Sequence, residues 1–265
     1  GRDLDLLSGG PPCQPFSMGG QHKGPTDERN MWPEAIRALK ELRPKAFLFE
    51  NVRGLLRPAF GDYLEFLELC LAYPSRYDPQ RAWKAQLKTM RGFRAKGLNP
   101  SYRVIVQAVN AADYGAAQKR HRAIIWGIRS DIASSVEPLK PTHSRNALIW
   151  SQRVDGDYWV RHKIPAGLRS ELTTADARIL QRLLADGKKP IEKPWVTVRD
   201  SVGDLPRPVE HFESVRNHRL HPGARTYAGH TGSLMDEPAK ALKAGCHGVP
   251  GGENALVQES GEVRY

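Results

Sequence analysis

The sequence predicts an α/β protein, a doubly wound and mostly parallel sheet joined to a second, smaller, loop-rich domain. Short apolar runs alternate with amphipathic segments from Leu4 to about Ile128. Several of these runs end in polar or Gly/Pro-rich loops, as strands do at the ligand-binding edge of such sheets. The alternation then stops near Pro138.

Leu4 to Ser8 is a strand candidate that must end where Gly9-Gly10-Pro11-Pro12 begins. Met31 to Leu42 places Trp32, Ile36, Leu39 and Leu42 near helical period, and Pro44 closes the segment. Ala46 to Phe49 reads as a buried strand ending at Glu50-Asn51, and residues 61 to 71 read as a helix through Tyr63, Phe66, Leu67 and Cys70. From Leu71 to Gln107 the only acid is Asp78, against Arg76, Arg81, Lys84, Lys88, Arg91, Arg94, Lys96 and Arg103. Trp83, Leu87, Met90 and Arg94 fall at helical spacing there, which predicts an apolar seam with a basic, phosphate-facing back. Tyr102 to Val109 and Ala123 to Ile128 are β-rich, separated by a polar loop from Asn110 to Arg122. Beyond Pro138, Thr174 to Leu184 is the one convincing helix, with Thr173 or Thr174 as N-cap and Gly187 past its end. The expected domains are 1–138 and 139–265, the tail from His218 to Gly261 being loops with short strands.

Lys plus Arg outnumber Asp plus Glu in the 265 residues by 40 − 29 = 11, a balance that favours a polyanionic partner, with nucleic acid first. A mean hydropathy of −0.54 and the lack of a long apolar run argue against a membrane span. Cys13, Cys70 and Cys246 are widely spaced and form no C-x-x-C pair, which suits a reducing compartment and gives no zinc pattern. His221, His230 and His247 are likewise too dispersed for a tight metal site, so no metal is expected. Gly1 is not an initiator Met, and a fragment of a longer chain is expected.

Three segments carry candidate chemistry. Pro11-Pro12-Cys13-Gln14-Pro15 presents a thiol on a rigid turn at a strand's carboxyl end, as a nucleophile requires. Phe49-Glu50-Asn51-Val52 puts an acid at the same edge, and a carboxyl enclosed in a pocket is suited to give a proton or hydrogen bond near neutrality. In Gln118-Lys119-Arg120-His121-Arg122, strand alternation would send Gln118, Arg120 and Arg122 to one face, where two guanidiniums favour anionic neighbours.

Pro-Cys-Gln, then Glu-Asn-Val, then Gln-x-Arg-x-Arg, in this order, resembles the cytosine-C5 DNA methyltransferase family. Asp27 to Leu39 is similar to its D-x-R-N…E-x-x-R helix, and Asp236 to Gly245 with His247 to Gly252 resemble the end of its target-recognition region. The resemblance implies a Rossmann-like methyltransferase core at 1–138 and a target-recognition domain at 139–265. It implies that Cys13 adds to C6 of a flipped cytosine, that Glu50 holds its N3 edge, and that Arg120 and Arg122 orient the base. It further implies S-adenosylmethionine as cofactor near Gly10, Pro11 and Met31, and duplex DNA as partner, with Pro12, Gln14, Ser17, Asn51 and Gln118 around the substrate. The expected setting is the cytoplasm of a bacterium or phage host, in restriction-modification. The family's F-x-G-x-G turn and Gly-Asn-Ala-Val segment do not occur here, so the resemblance is to a middle section, and a complementary chain or further segment is expected to complete the cofactor site. Two alternatives stay open: a tRNA cytosine-C5 methyltransferase, and a non-catalytic DNA-binding subunit of the same fold.

Overall fold

A computed structural model describes residues 4–12, 29–206, 215–216, 218, 223, 225–226, 231–242, 255–257 and 263–264. They fall into two compact units, 1–109 with 121–139, and 110–120 with 140–265.

The first unit is mixed α/β. Strand β1 (Leu6–Gly9) lies parallel to β2 (Ala46–Val52), with Leu6 opposite Ala46 and Gly9 opposite Phe49. The next neighbour of β2 is β5 (His121–Arg129), which runs antiparallel with Phe49 opposite Ile125, and β3 (Tyr102–Asn110) closes the order β1-β2-β5-β3. The described sheet is therefore mixed, its parallel pair being the two strands that carry Gly10-Pro11 and Glu50.

Helix α1 (Trp32–Leu42) has a Pro in its first turn and ends at Arg43 in the left-handed region, one residue before Pro44. It buries Trp32, Ile36 and Leu39. Helix α2 (Gly61–Ala72) buries Tyr63, Phe66, Leu67 and Cys70, the same positions the helical period selects. Both contribute to one core with Phe47 and Phe49, neighbours on one face of β2. Trp32 meets Phe49 edge-on with ring centroids 5.8 Å apart. On the other face Leu6 and Leu48 remain exposed.

Helix α3 (Trp83–Ala95) has the expected apolar seam through Leu87 and Met90. Its basic back is less free than the count of residues 71–107 implies. Arg91 is bound by Asp62 at 2.7 Å and Glu65 at 2.6 Å, and Arg94 also pairs with Glu65. Both acids stand on α2, outside the window in which Asp78 is alone.

The second unit holds more helix than the single one expected: α4 (Arg145–Arg153), α5 (Asp157–Arg161), α6 (Thr174–Asp186) and α7 (Val198–Val202). Helix α6 is capped as predicted, Thr173 accepting from the Asp176 N–H and Gly187 adopting φ 61°. Helix α4 is hidden in the sequence behind the Pro138 and Pro141 breaks, yet Ser144 caps it by accepting the Ala147 N–H at 3.1 Å. Leu148, Tyr158 and Trp159 form a small core with Ile164 and Trp195. Beneath it, the Tyr158 hydroxyl donates to Asp236 at 2.9 Å, and Arg199 pairs with the same carboxylate at 2.7 Å. Paired short strands complete this unit: β4 (Gln118–Lys119) with β9 (Ala239–Lys240), β6 (His143–Ser144) with β7 (Lys193–Pro194), and β10 (Leu256–Val257) between β8 (Ser233–Leu234) and β11 (Val263–Arg264).

Candidate active site

The parallel pairing of β1 and β2 brings the Gly10-Pro11 turn and Glu50-Asn51 to one edge of the sheet. A Cβ placed on Gly10 would sit 3.8 Å from both the carbonyl oxygen and Oε2 of Glu50, ordinary contact that shows how near the turn passes to the acid. The Asn51 amide ties the two strand ends together. Its Nδ2 donates to the Pro11 carbonyl at 3.0 Å while its Oδ1 accepts the Val52 N–H at 2.9 Å. Asn51, expected to contact substrate, is buried, and both ends of its amide are engaged with backbone. The signal was its place beside Glu50 at a strand end, within reach of the neighbouring strand.

Val52 is opposite Arg122 across the antiparallel β2/β5 pair. The guanidinium thereby reaches back along its strand, and Nε of Arg122 donates to Oε1 of Glu50 at 2.5 Å. A second nitrogen, Nη1, donates to the His121 carbonyl at 2.8 Å, which fixes the plane of the group. The Glu50 side chain is 40% exposed, and an arginine holds it; residues 13–28, which follow the Pro11-Pro12 segment, lie outside the described residues. The site can thus present an oriented carboxylate edge beside a cation, to a planar ligand with hydrogen-bond donors.

The expected single strand face for Gln118, Arg120 and Arg122 does not form. Gln118 pairs with Ala239 in β4, the chain leaves strand at Arg120, and Arg122 belongs to β5. Arg120 is fixed through its backbone, its N–H donating to Asn110 Oδ1 at 3.0 Å and its carbonyl accepting the Ala111 N–H. Asn110, buried and read only as the start of a loop, is a positioning residue that sequence reasoning missed.

Pro12 is half-buried. Cys13, Gln14 and Ser17, like Asp27, Cys246 and the three tail histidines His221, His230 and His247, lie outside the described residues. Met31 precedes α1 and is exposed, next to Asn30, whose amide donates to the Tyr63 hydroxyl at 2.7 Å. Among the described residues no cluster suits a metal ion, and no helix is long and apolar enough to cross a membrane. Burial pushes the Cys70 thiol up to about 12, so it stays protonated at neutral pH and is no nucleophile.

Replacing Asn51 with Ala should lower kcat about tenfold with little change in the KM for substrate, because the missing hydrogen bond loosens the turn and not the binding surface. Steady-state kinetics of the protein carrying this chain would check it. A rise in KM alone would return Asn51 to direct substrate contact.

Comparison with known proteins agrees with the motifs. The profile of the C-5 cytosine-specific DNA methylase family matches residues 1–155. Type II methyltransferase M.NgoMIV of Neisseria gonorrhoeae is 35% identical over 128 residues, which are 48% of this chain and 33% of that protein. Type II methyltransferase M.AquIA of Picosynechococcus sp. is 33% identical over 142 residues, 53% of this chain and 49% of that protein. The DNA (cytosine-5-)-methyltransferase M.ApeKI of Aeropyrum pernix is 30% identical over 214 residues, 77% of this chain and 42% of that protein. The chain spans between a third and a half of the length of these relatives.

Proposed function

Because the chain belongs to the C-5 cytosine-specific DNA methylase family, we propose that the protein carrying it transfers a methyl group to C5 of a specific cytosine in duplex DNA. The observation that supports this best is the meeting, at one sheet edge, of the turn that leads to Cys13 with the Glu50–Arg122 pair. Cytosine carbon 5 is a poor nucleophile until something adds at C6. The Cys13 thiolate adds there, with the base flipped out of the duplex so that its ring is reachable. Glu50, oriented by Arg122, accepts a hydrogen bond from the amino group and gives a proton to N3, which neutralises the negative charge that the thiolate's addition puts on the ring. S-adenosylmethionine supplies the methyl group, and Gly10, Pro11 and Met31 are the residues of this chain that would line its site. After transfer, a solvent base takes the C5 proton, the thiolate is expelled and the N3 proton returns to Glu50, which restores the aromatic ring and the enzyme. Residues 139–265 read the sequence, with Gln118 and Arg120 beside the base and Pro12, Gln14 and Ser17 binding the substrate. A further segment or complementary chain completes the cofactor site. Bacterial restriction-modification, in the cytoplasm, is the proposed setting.

Incubating the protein with duplex DNA and methyl-labelled S-adenosylmethionine should yield 5-methylcytosine in the DNA, with tRNA unlabelled. Label in tRNA alone would move the substrate, and label in neither would overturn the assignment. The cations of the α3 region give a second test. Changing Arg81, Lys84 and Lys88 to Gln should weaken binding to all duplexes alike and reduce the slope of log affinity against log salt by about 0.9 for each phosphate no longer neutralised. Arg91 is left out because Asp62 and Glu65 already hold it.

A further inference from the structure

At the end of the sheet opposite Glu50, where β2 and β3 begin and β5 ends, the first unit contains a cavity of about 530 Å³. That is the size of a small-molecule site. Lys40, Arg43 and Arg129 bring three cations to its wall, against the single carboxylate of Asp131. Arg129 is held in place: its Nε donates to Asp131 at 2.7 Å, its Nη1 to the Arg43 carbonyl at 2.9 Å, and its backbone N–H to the Lys45 carbonyl. Arg43 itself adopts φ 44°, a left-handed conformation that a non-glycine residue takes at some cost. Ser75 and Ser101 add exposed residues to the wall, and Ser130 also lines it, its own Oγ buried and without a hydrogen-bond partner among the described residues. Leu39, Pro74 and Pro100 supply an apolar side. Tyr102 spends its hydroxyl on the Pro44 carbonyl at 2.7 Å, and burial pushes it up to about 12, so it adds no negative charge.

We propose that this cavity binds a small organic phosphate, of the size of a nucleoside monophosphate, at a site separate from the cytosine pocket. The phosphate meets Lys40, Arg43 and Arg129 with the serine hydroxyls, and the organic part lies on the leucine and proline side. Lys40 and Arg43 also stand at the C-terminal end of α1, where cations complement the helix dipole. That role accounts for two charges but not for a cavity with a third cation braced in its wall.

The test is calorimetric titration of the full protein with inorganic phosphate and with adenosine 5′-monophosphate, in chloride buffer at constant ionic strength. Both should bind saturably, the nucleotide more tightly, and neither should be displaced by duplex DNA or S-adenosylmethionine. Lys40→Gln with Arg43→Gln should weaken nucleotide binding about tenfold or more, and Ser130→Ala by a smaller factor. If the double variant fails to fold, Lys40→Gln alone, at an exposed position, should still weaken binding severalfold. Non-saturable heats, equal affinity in the variants, or displacement by DNA or by S-adenosylmethionine would overturn the proposal. A fall in thermal stability with unchanged binding would leave these cations as helix-dipole partners only and would also overturn it.

Discussion

Cys13→Ser should abolish methyl transfer while leaving duplex affinity within a small factor of the parent. The proposed reaction needs a polarisable nucleophile that both adds to a ring carbon and leaves it again. A serine hydroxyl at neutral pH is almost wholly protonated and does neither at a useful rate. The expected loss is complete at assay sensitivity, in keeping with the large effects of removing a catalytic nucleophile. A second readout separates the role from simple damage. Duplex DNA carrying 5-fluorocytosine at the target position should trap the parent covalently in the presence of S-adenosylmethionine, because fluorine cannot depart as the C5 proton does. Cys13→Ser should give no trapped species. Cys70→Ala is the internal control: that thiol is buried in the core and kept protonated, so the variant should lose some stability and keep its trapping. Equal trapping by Cys13→Ser would end the assignment.

The order of elements in the first unit could be read from sequence because each has local signals. Pro44 stops α1, the Gly9 to Pro12 run stops β1, and the period of Tyr63, Phe66, Leu67 and Cys70 selects the buried face of α2. The caps of α6 were legible for the same reason, since Thr173 and Gly187 act on backbone within their own turn. What could not be read are the partners chosen by tertiary packing. Glu50 and Arg122 are 72 residues apart, and the 2.5 Å contact exists only because β5 pairs antiparallel with β2 in a register that puts Arg122 opposite Val52. Arg91 and Arg94 looked free because their acids, Asp62 and Glu65, belong to the preceding helix. The break at Arg120 has a similar origin. Gln118 and Lys119 pair with Ala239 and Lys240, more than a hundred residues on, and that pairing takes them out of the strand that continues from His121. Motif order therefore names the candidate residues, and the geometry adds a contact to two of them: Asn51 donates to the Pro11 carbonyl, and Arg122 donates to Glu50.

Glu50→Gln should reduce the rate of methyl transfer by about 10²-fold or more, with a much smaller change in DNA affinity. Glutamine keeps the shape and can still hydrogen-bond N3 and the amino group, but it has no acidic proton to pass to N3 as negative charge builds on the ring. The loss therefore falls on the transition state more than on the bound duplex, so kcat and kcat/KM should drop together. The Arg122 contact adds a sharper expectation. If the guanidinium works by orienting Glu50, then Arg122→Gln should also slow transfer. The Glu50→Gln, Arg122→Gln double variant should be little worse than Glu50→Gln alone, since the second change removes support from a group already disabled. Independent action on the base would instead make the two losses multiply. Single-turnover rates at saturating DNA for the parent, both single variants and the double variant decide between these outcomes. An effect of Glu50→Gln confined to KM would assign the residue to DNA binding, and multiplicative losses would give Arg122 its own contact with the base.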